Sequence, residues 1–417
     1  MVTFTVTQVV LLRFPRSRDR AFRAVVDSEV GPRVLWPELG HLVDFRHGVR
    51  NRLGSLGDRL RALGQPWEVA EFLWVPAIGL GFAFWYELRV RDTLQDYGIF
   101  RAAALAVVHG RSPYVAATPA ALAHFDKFVY PPVTALLFAP VAELPSEVGR
   151  VLIFAGGLVA IVCALRLLHV EDWRCYGVAL VSTPAINSLA LGALTSFLLL
   201  GAAAAWRYRD QTAVAAVVVA LTAVLKVFLW PLVIWLIATR RWRSAAACVG
   251  AGIALLLGSW AVIGFAGLRS YPTLLHVLER IEAPASYSVV ALVGVGGGAE
   301  TAVTAVLAVA LAAVVVLAAR ASDGDRRGLA TAVLAALVAT PLLWLHYLLL
   351  LYVPIALYRP RLAPLWFLPL LLWVTPDAHS EGITWRIAVA LAVVGVVALR
   401  TAATGLNRAA APRPAAT

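Results

Sequence analysis

Three ionisable residues stand where such side chains are either costly or well placed for chemistry. Asp96 opens an amphipathic stretch, Tyr97 to His109, that ends at Gly110 and a Ser112-Pro113-Tyr114 turn; Asp92 lies one turn before it. A carboxylate at the head of a helix can accept a proton from a hydroxyl held against it, or it can simply cap the helix by accepting from free backbone N–H groups. Lys226 interrupts the apolar run 212–239. A cation at mid-membrane costs roughly 2.5–3.5 kcal/mol on insertion scales. Such an ammonium either snorkels to the surface or holds an anion such as a phosphate. His346, flanked by Trp344 and Tyr347, has a similar setting; it reads equally as a satisfied core histidine or as a ligand contact.

Other candidates are weaker. Phe128-Val129-Tyr130-Pro131-Pro132 stiffens the chain as it enters an apolar run. Glu279, Arg280 and Glu282 read as a solvated charge run. Gly294-Val295-Gly296-Gly297-Gly298 lacks the following Lys-Ser/Thr of a phosphate loop. Asp323-Gly324-Asp325 has the form of a metal-binding carboxylate pair, but it sits in a tiny loop with no nucleotide-binding domain nearby, so it reads as a solvated turn. No Cys/His cluster, nucleophile elbow or dinucleotide fingerprint is present, and the three cysteines (Cys163, Cys175, Cys248) make no disulfide framework.

The elements that must position these residues follow from composition. Of 417 residues, 61% are hydrophobic and 14% charged, and the mean hydropathy is +0.79. A soluble chain carries about 45–50% apolar residues, so the long, nearly uncharged runs between Val69 and Arg400 belong in lipid or against one another. The net charge of +12 is almost all arginine, the two lysines being Lys127 and Lys226. Most arginines flank apolar runs, where they fix topology and meet anionic lipid rather than nucleic acid. Residues 1–66 form a polar, Arg-rich cytoplasmic extension with one amphipathic stretch near Leu53–Leu63, or reflect a misassigned start; the signal-peptide layout is missing. Residues 67–400 form the transmembrane domain, and 401–417 a basic cytoplasmic tail.

Charge then sets the topology. Arginine-bearing breaks at 207–209, 240–243, 320–327 and 359–361, together with the tail, all face the cytoplasm by the positive-inside rule. The runs 212–239 and 329–358 therefore begin and end on one side. At about 28–30 residues each, they must be hairpins of two short helices lining a protein-walled cavity, because a straight span needs about 20. Lys226 and His346 sit at the tips. The run 175–206 crosses once, with a break expected near Thr183-Pro184. The reading is an all-α polytopic membrane protein with about twelve crossings, both termini inside and an outer-face loop and helix region. Two outer stretches, 89–129 and 267–299, keep cations on the wrong side, among them Arg101, Lys127 and Arg280. An anionic ligand at that face explains them.

The residues then form a pattern. Asp96-Tyr97, Phe100, Ala102-Ala103, Gly110-Arg111-Ser112-Pro113-Tyr114, Tyr130-Pro131-Pro132, Lys226, Arg240-Arg241-Trp242-Arg243 and Pro341 to Tyr347 occur in an order that resembles glycosyltransferase family 87 over about 70–400. Members are actinobacterial polyprenyl-phosphate-mannose-dependent mannosyltransferases and related arabinofuranosyltransferases of the GT-C fold. The resemblance implies a multi-pass plasma-membrane enzyme with its site on the extracytoplasmic side. It would move a sugar, with mannose expected, from a polyprenyl-phosphate donor to a hydroxyl of a lipid-linked cell-envelope glycan. Asp96 is then the catalytic base. Lys226, His346, Arg101, Tyr114, Trp344 and Arg280 bind the donor, and Tyr130, Glu279 and Ser288 lie on the acceptor side. Direct displacement with one carboxylate implies inversion, and neither metal nor cofactor is expected. Two departures stand out: Gly192-Ala193 where relatives often have Gly-Gln, and Ser286-Tyr287-Ser288 where an Asn-containing segment is common. A lipid-linked arabinofuranosyltransferase, or a transporter or flippase of a lipid-linked or anionic solute, is the alternative; broken helices and intramembrane charge would serve that class too.

Overall fold

The computed structural model describes residues 66–89, 94–123, 127–294 and 298–410, in a chain that divides into units Met1–Val69 and Ala70–Thr417. Most of the predicted N-terminal extension, its Leu53–Leu63 stretch, Asp92 and the end of the C-terminal tail lie outside the described residues. Among those described, every regular element is helical and none is a strand.

Five helices are long and apolar enough to cross a bilayer: Trp67–Tyr86, Ser146–Leu167, Trp242–Val262, Ala299–Ala319 and Thr384–Ala403. Ala299–Ala319 leaves Val306, Val309 and Leu317 each about 70% exposed, a display of apolar side chains suited to lipid and not to water. This is a membrane protein. Counting the bent pair Thr183–Leu191 and Thr195–Arg207 as one span gives up to six. The other apolar helices are short. They include Pro132–Ala142, Thr212–Leu225, Val227–Ala238, Leu345–Tyr358 and Pro364–Val374.

Gly324–Ala339 is the helix at the centre. It packs on Gly298–Ala319, Pro231–Ala238, Tyr352–Tyr358 and Thr384–Ala410, and its Leu329, Ala332, Val333, Ala336 and Leu337 are fully enclosed. Small residues let neighbouring backbones approach. At Gly328 a Cβ would come within 2.7 Å of the Trp235 ring. That ring in turn donates from its indole nitrogen to the Asp325 carbonyl at 3.0 Å.

Helix breaks fall at both expected tips. Thr212–Leu225 ends where Lys226 turns extended (φ −143°, ψ 102°), and Pro231–Ala238 resumes after a single 3-10 turn. Gly324–Ala339 likewise ends before Pro341, and Leu345–Leu351 continues as 3-10 helix into Tyr352–Tyr358. In the run 175–206 the helix does break at Ser182, just ahead of Pro184. A bend of 117° follows between Thr183–Leu191 and Thr195–Arg207. Gly192 makes it possible: its φ of +66° is left-handed, and a Cβ there would meet Tyr97 Cβ at 3.0 Å and Leu94 Cβ at 3.3 Å. The first turn of the Asp96 helix thus rests on the floor of that bend.

Candidate active site

The Asp96 helix runs Gln95–Val108 and closes at His109 and the left-handed Gly110, as its amphipathic pattern predicts. Leu94 occupies the cap position, with no side-chain capping bond. Asp96 is therefore not an N-cap. Tyr97, Phe100, Ala103, Ala104 and Val107 form the buried stripe, while the Asp96 carboxylate faces a cavity of about 170 Å³.

That cavity gathers its ionisable and aromatic residues from six parts of the chain. Asp96 and Gln95 come from one helix, Tyr130 and Lys127 from the segment before Pro132, and Lys226 from its helix break. Trp344, His346 and Tyr347 come from the second break, and Glu282 and His379 from two further segments. Asp96, Lys226, His346, Trp344 and Tyr130, singled out from sequence, thus share one chamber. Burial holds the Asp96 carboxyl above the ordinary carboxylate range, at about 6; Lys226 opposes the shift and Glu282 adds to it.

Lys226 donates a hydrogen bond to the Tyr347 hydroxyl. Its ammonium lies 4.3 Å from the Tyr130 ring centroid and 4.7 Å from that of Tyr347, so two aromatic faces stabilise the cation. Phe228 stacks on Tyr347 at 4.9 Å. The His346 ring meets Tyr347 edge-on at 4.6 Å, and its Nδ1 is buried without a hydrogen-bond partner. A buried polar atom left unpaired costs about 1–3 kcal/mol. A ligand oxygen in the cavity could supply the missing bond.

Aromatic packing fixes Tyr130. Tyr114 stacks on Trp260 at 5.1 Å and donates to the Tyr130 carbonyl at 2.8 Å, while Tyr271 donates to the Val129 carbonyl at 3.0 Å. Tyr287 performs the same service for the far wall. Its amide donates to the Leu343 carbonyl (2.7 Å), and its hydroxyl meets Thr375 Oγ1 (2.6 Å) and the Asp377 and His379 carbonyls (3.0 and 3.2 Å). Ser286 adds a bond to the Pro341 carbonyl at 3.2 Å. The departing Ser286-Tyr287 pair is thus the clamp that sets Trp344 and His379 side by side, their rings 4.6 Å apart.

Five sequence-predicted residues lie off the cavity wall. Tyr114 supports Tyr130 from behind. Arg101 is five positions beyond Asp96, about 140° around the helix, where it interacts with Tyr97. Arg280 is exposed. Burial raises the Glu279 carboxyl, with Glu300 adding and His276 opposing. Ser288 caps Val289–Val293 by accepting from the Ala291 amide. Conversely, Glu282 is no solvated charge: it is ion-paired to Lys127 at the cavity. Lys127 was legible only as a misplaced cation and His379 carried no signal at all. Asp325 also departs from its reading as a solvated turn. Arg241 binds it at 2.6 and 2.9 Å, and Arg209 at 3.3 Å. Among the described residues no group of three or more His, Cys, Asp or Glu could hold a metal.

The arrangement can draw a proton onto a carboxylate while holding an anion on a neighbouring cation and imidazole. No curated protein and no solved structure matches the chain. A family model does, over residues 128–345, a span that includes Lys226 and Trp344 and lies beyond Asp96. With more than half of the sequence matched, the chain belongs to glycosyltransferase family 87.

Proposed function

We propose that the protein transfers mannose from a polyprenyl-phosphate donor to a hydroxyl of a cell-envelope glycan or glycolipid, at the extracytoplasmic face of the plasma membrane and with inversion. The observation that carries this reading is the convergence of Asp96, Lys226 and His346 on one cavity in a chain of a glycosyltransferase family. In this reading the four helices flanking Lys226 and His346, together with Pro132–Ala142 and Pro364–Val374, count as crossings beside the six spans, which brings the total to about twelve with both termini inside.

The donor phosphate rests on the Lys226 ammonium and receives a hydrogen bond from His346, whose buried Nδ1 wants a partner. The acceptor oxygen attacks the anomeric carbon. Its proton passes to Asp96, the bond from that carbon to the phosphate oxygen breaks, and polyprenyl phosphate leaves with the electron pair. Cations already in place stabilise the departing charge without reorganisation. One carboxylate and one displacement convert a β-linked donor to an α-linked product.

The test is transfer from radiolabelled polyprenyl-phosphate mannose by the purified full chain in detergent, with the corresponding arabinofuranose lipid in parallel. Label moving covalently to acceptor from the mannose lipid is the expected result. Transfer from the arabinose lipid alone would replace the sugar, and vesicle flux without covalent transfer would replace the reading with a transporter.

A further inference from the structure

The chamber has a second polar wall that this chemistry leaves idle. Lys127 follows the short helix Pro119–Leu122 and donates to the Leu122 carbonyl at 2.7 Å. It also pairs with Glu282, the last residue of the helix Tyr271–Glu282. Both side chains are largely buried, at 11% and 22% exposure. Removing two charges from water costs several kcal/mol per ion, so the pair is poor glue. The Tyr271–Glu282 helix is in any case anchored by buried Leu274 and Leu278 and by the Tyr271 bond to Val129. A carboxylate on this wall repels a phosphate, so the wall suits a neutral ligand. An ionised carboxylate offers about four lone-pair sites. The bonds to Lys127 leave others open to hydroxyl donors, and Trp344 with His379 adds an aromatic flank on the same cavity.

Resting on the transfer reading above, we infer that Glu282, held in place by Lys127, binds ring hydroxyls of a neutral glycoside acceptor. The role expected of Glu279 falls instead to the residue one turn later. Glu282 is a specificity-determining contact, and Lys127 is a positioning residue.

Octyl α-mannoside is a suitable probe, titrated first into the donor-free full chain and then used as acceptor with polyprenyl-phosphate mannose. Losing one hydrogen bond to a charged group costs about tenfold or more in affinity. Glu282→Gln is expected to weaken glycoside binding and raise its KM by about that factor, while the donor KM stays within about twofold. Lys127→Met should reproduce the loss and Lys127→Arg should restore most of it, a pattern that a fold defect would not give. Unchanged glycoside affinity in Glu282→Gln, or a rise confined to the donor KM, overturns the inference. So does a wild-type chain that does not bind the glycoside. A wild-type chain that binds it through Glu282 without transferring sugar overturns the transfer reading alone.

Discussion

Two regions of this protein concentrate charge, and they treat it differently. Around Asp325 both carboxylate oxygens meet guanidinium donors. Arg241 reaches both Asp325 oxygens and Asp210 at 2.6–2.9 Å, and Arg209 closes the ring from the far side. In the cavity, Lys226 settles for a phenol and two aromatic faces, His346 keeps a buried nitrogen unpaired, and Asp96 is raised by burial. The first arrangement occupies its carboxylates and ties helix ends together. The second leaves valences open, and a closed network could not take up a substrate.

The contrast can be broken from either end. The largest effect is expected from Asp96→Asn. A positioned base supplies about 10²–10⁴-fold, so transfer should fall by that much while the fold survives, as single-turnover assays and thermal unfolding in detergent can establish. Full transfer by the folded variant would remove the base assignment. Next, Lys226→Ala deletes a charged contact to the donor phosphate and should raise the donor KM about 10–100-fold; an unchanged donor KM would count against its role.

A third test is pH. With the Asp96 carboxyl at about 6, the rate should climb with pH on a single-proton limb and lose about tenfold per unit in acid below that value. Stability runs the other way. The folded chain holds this proton more tightly than the unfolded one, so the contribution is complete below 3.8 and is lost as pH rises through about 6. The smallest catalytic effect belongs to the paired region. Asp325 is partly exposed, so Asp325→Asn should cost about 1–2 kcal/mol of stability and leave transfer kinetics nearly unaltered. A larger loss in rate than in unfolding temperature would erase the distinction between the regions.

Much of this was legible in the residues. A lone lysine in an apolar run and a proline ahead of a Trp-Leu-His-Tyr sequence mark helix breaks through local chemistry alone, and both breaks occur. The Tyr97–His109 periodicity marks its helix for the same reason. What escaped reading depends on contacts distant in sequence. Asp325 looked solvated because Arg241 and Arg209 lie 84 and 116 residues away. Glu282 looked ordinary because its partner Lys127 approaches from another segment. The 117° bend at Gly192 has a local permission, a residue free to adopt positive φ, but its cause is the Tyr97 and Leu94 side chains pressed against that glycine.

The helix Thr212–Leu225 has 14 residues, about 21 Å of rise, against a hydrocarbon thickness of about 30 Å. If lipid meets this element rather than protein, the bilayer there would have to thin, at a cost of a fraction of a kcal/mol per Å. Headgroups would then be drawn inward at that seam. The proposed polyprenyl-phosphate donor could then bring its polar end to depth by lateral diffusion within its own leaflet, with no need to be lifted out of the membrane.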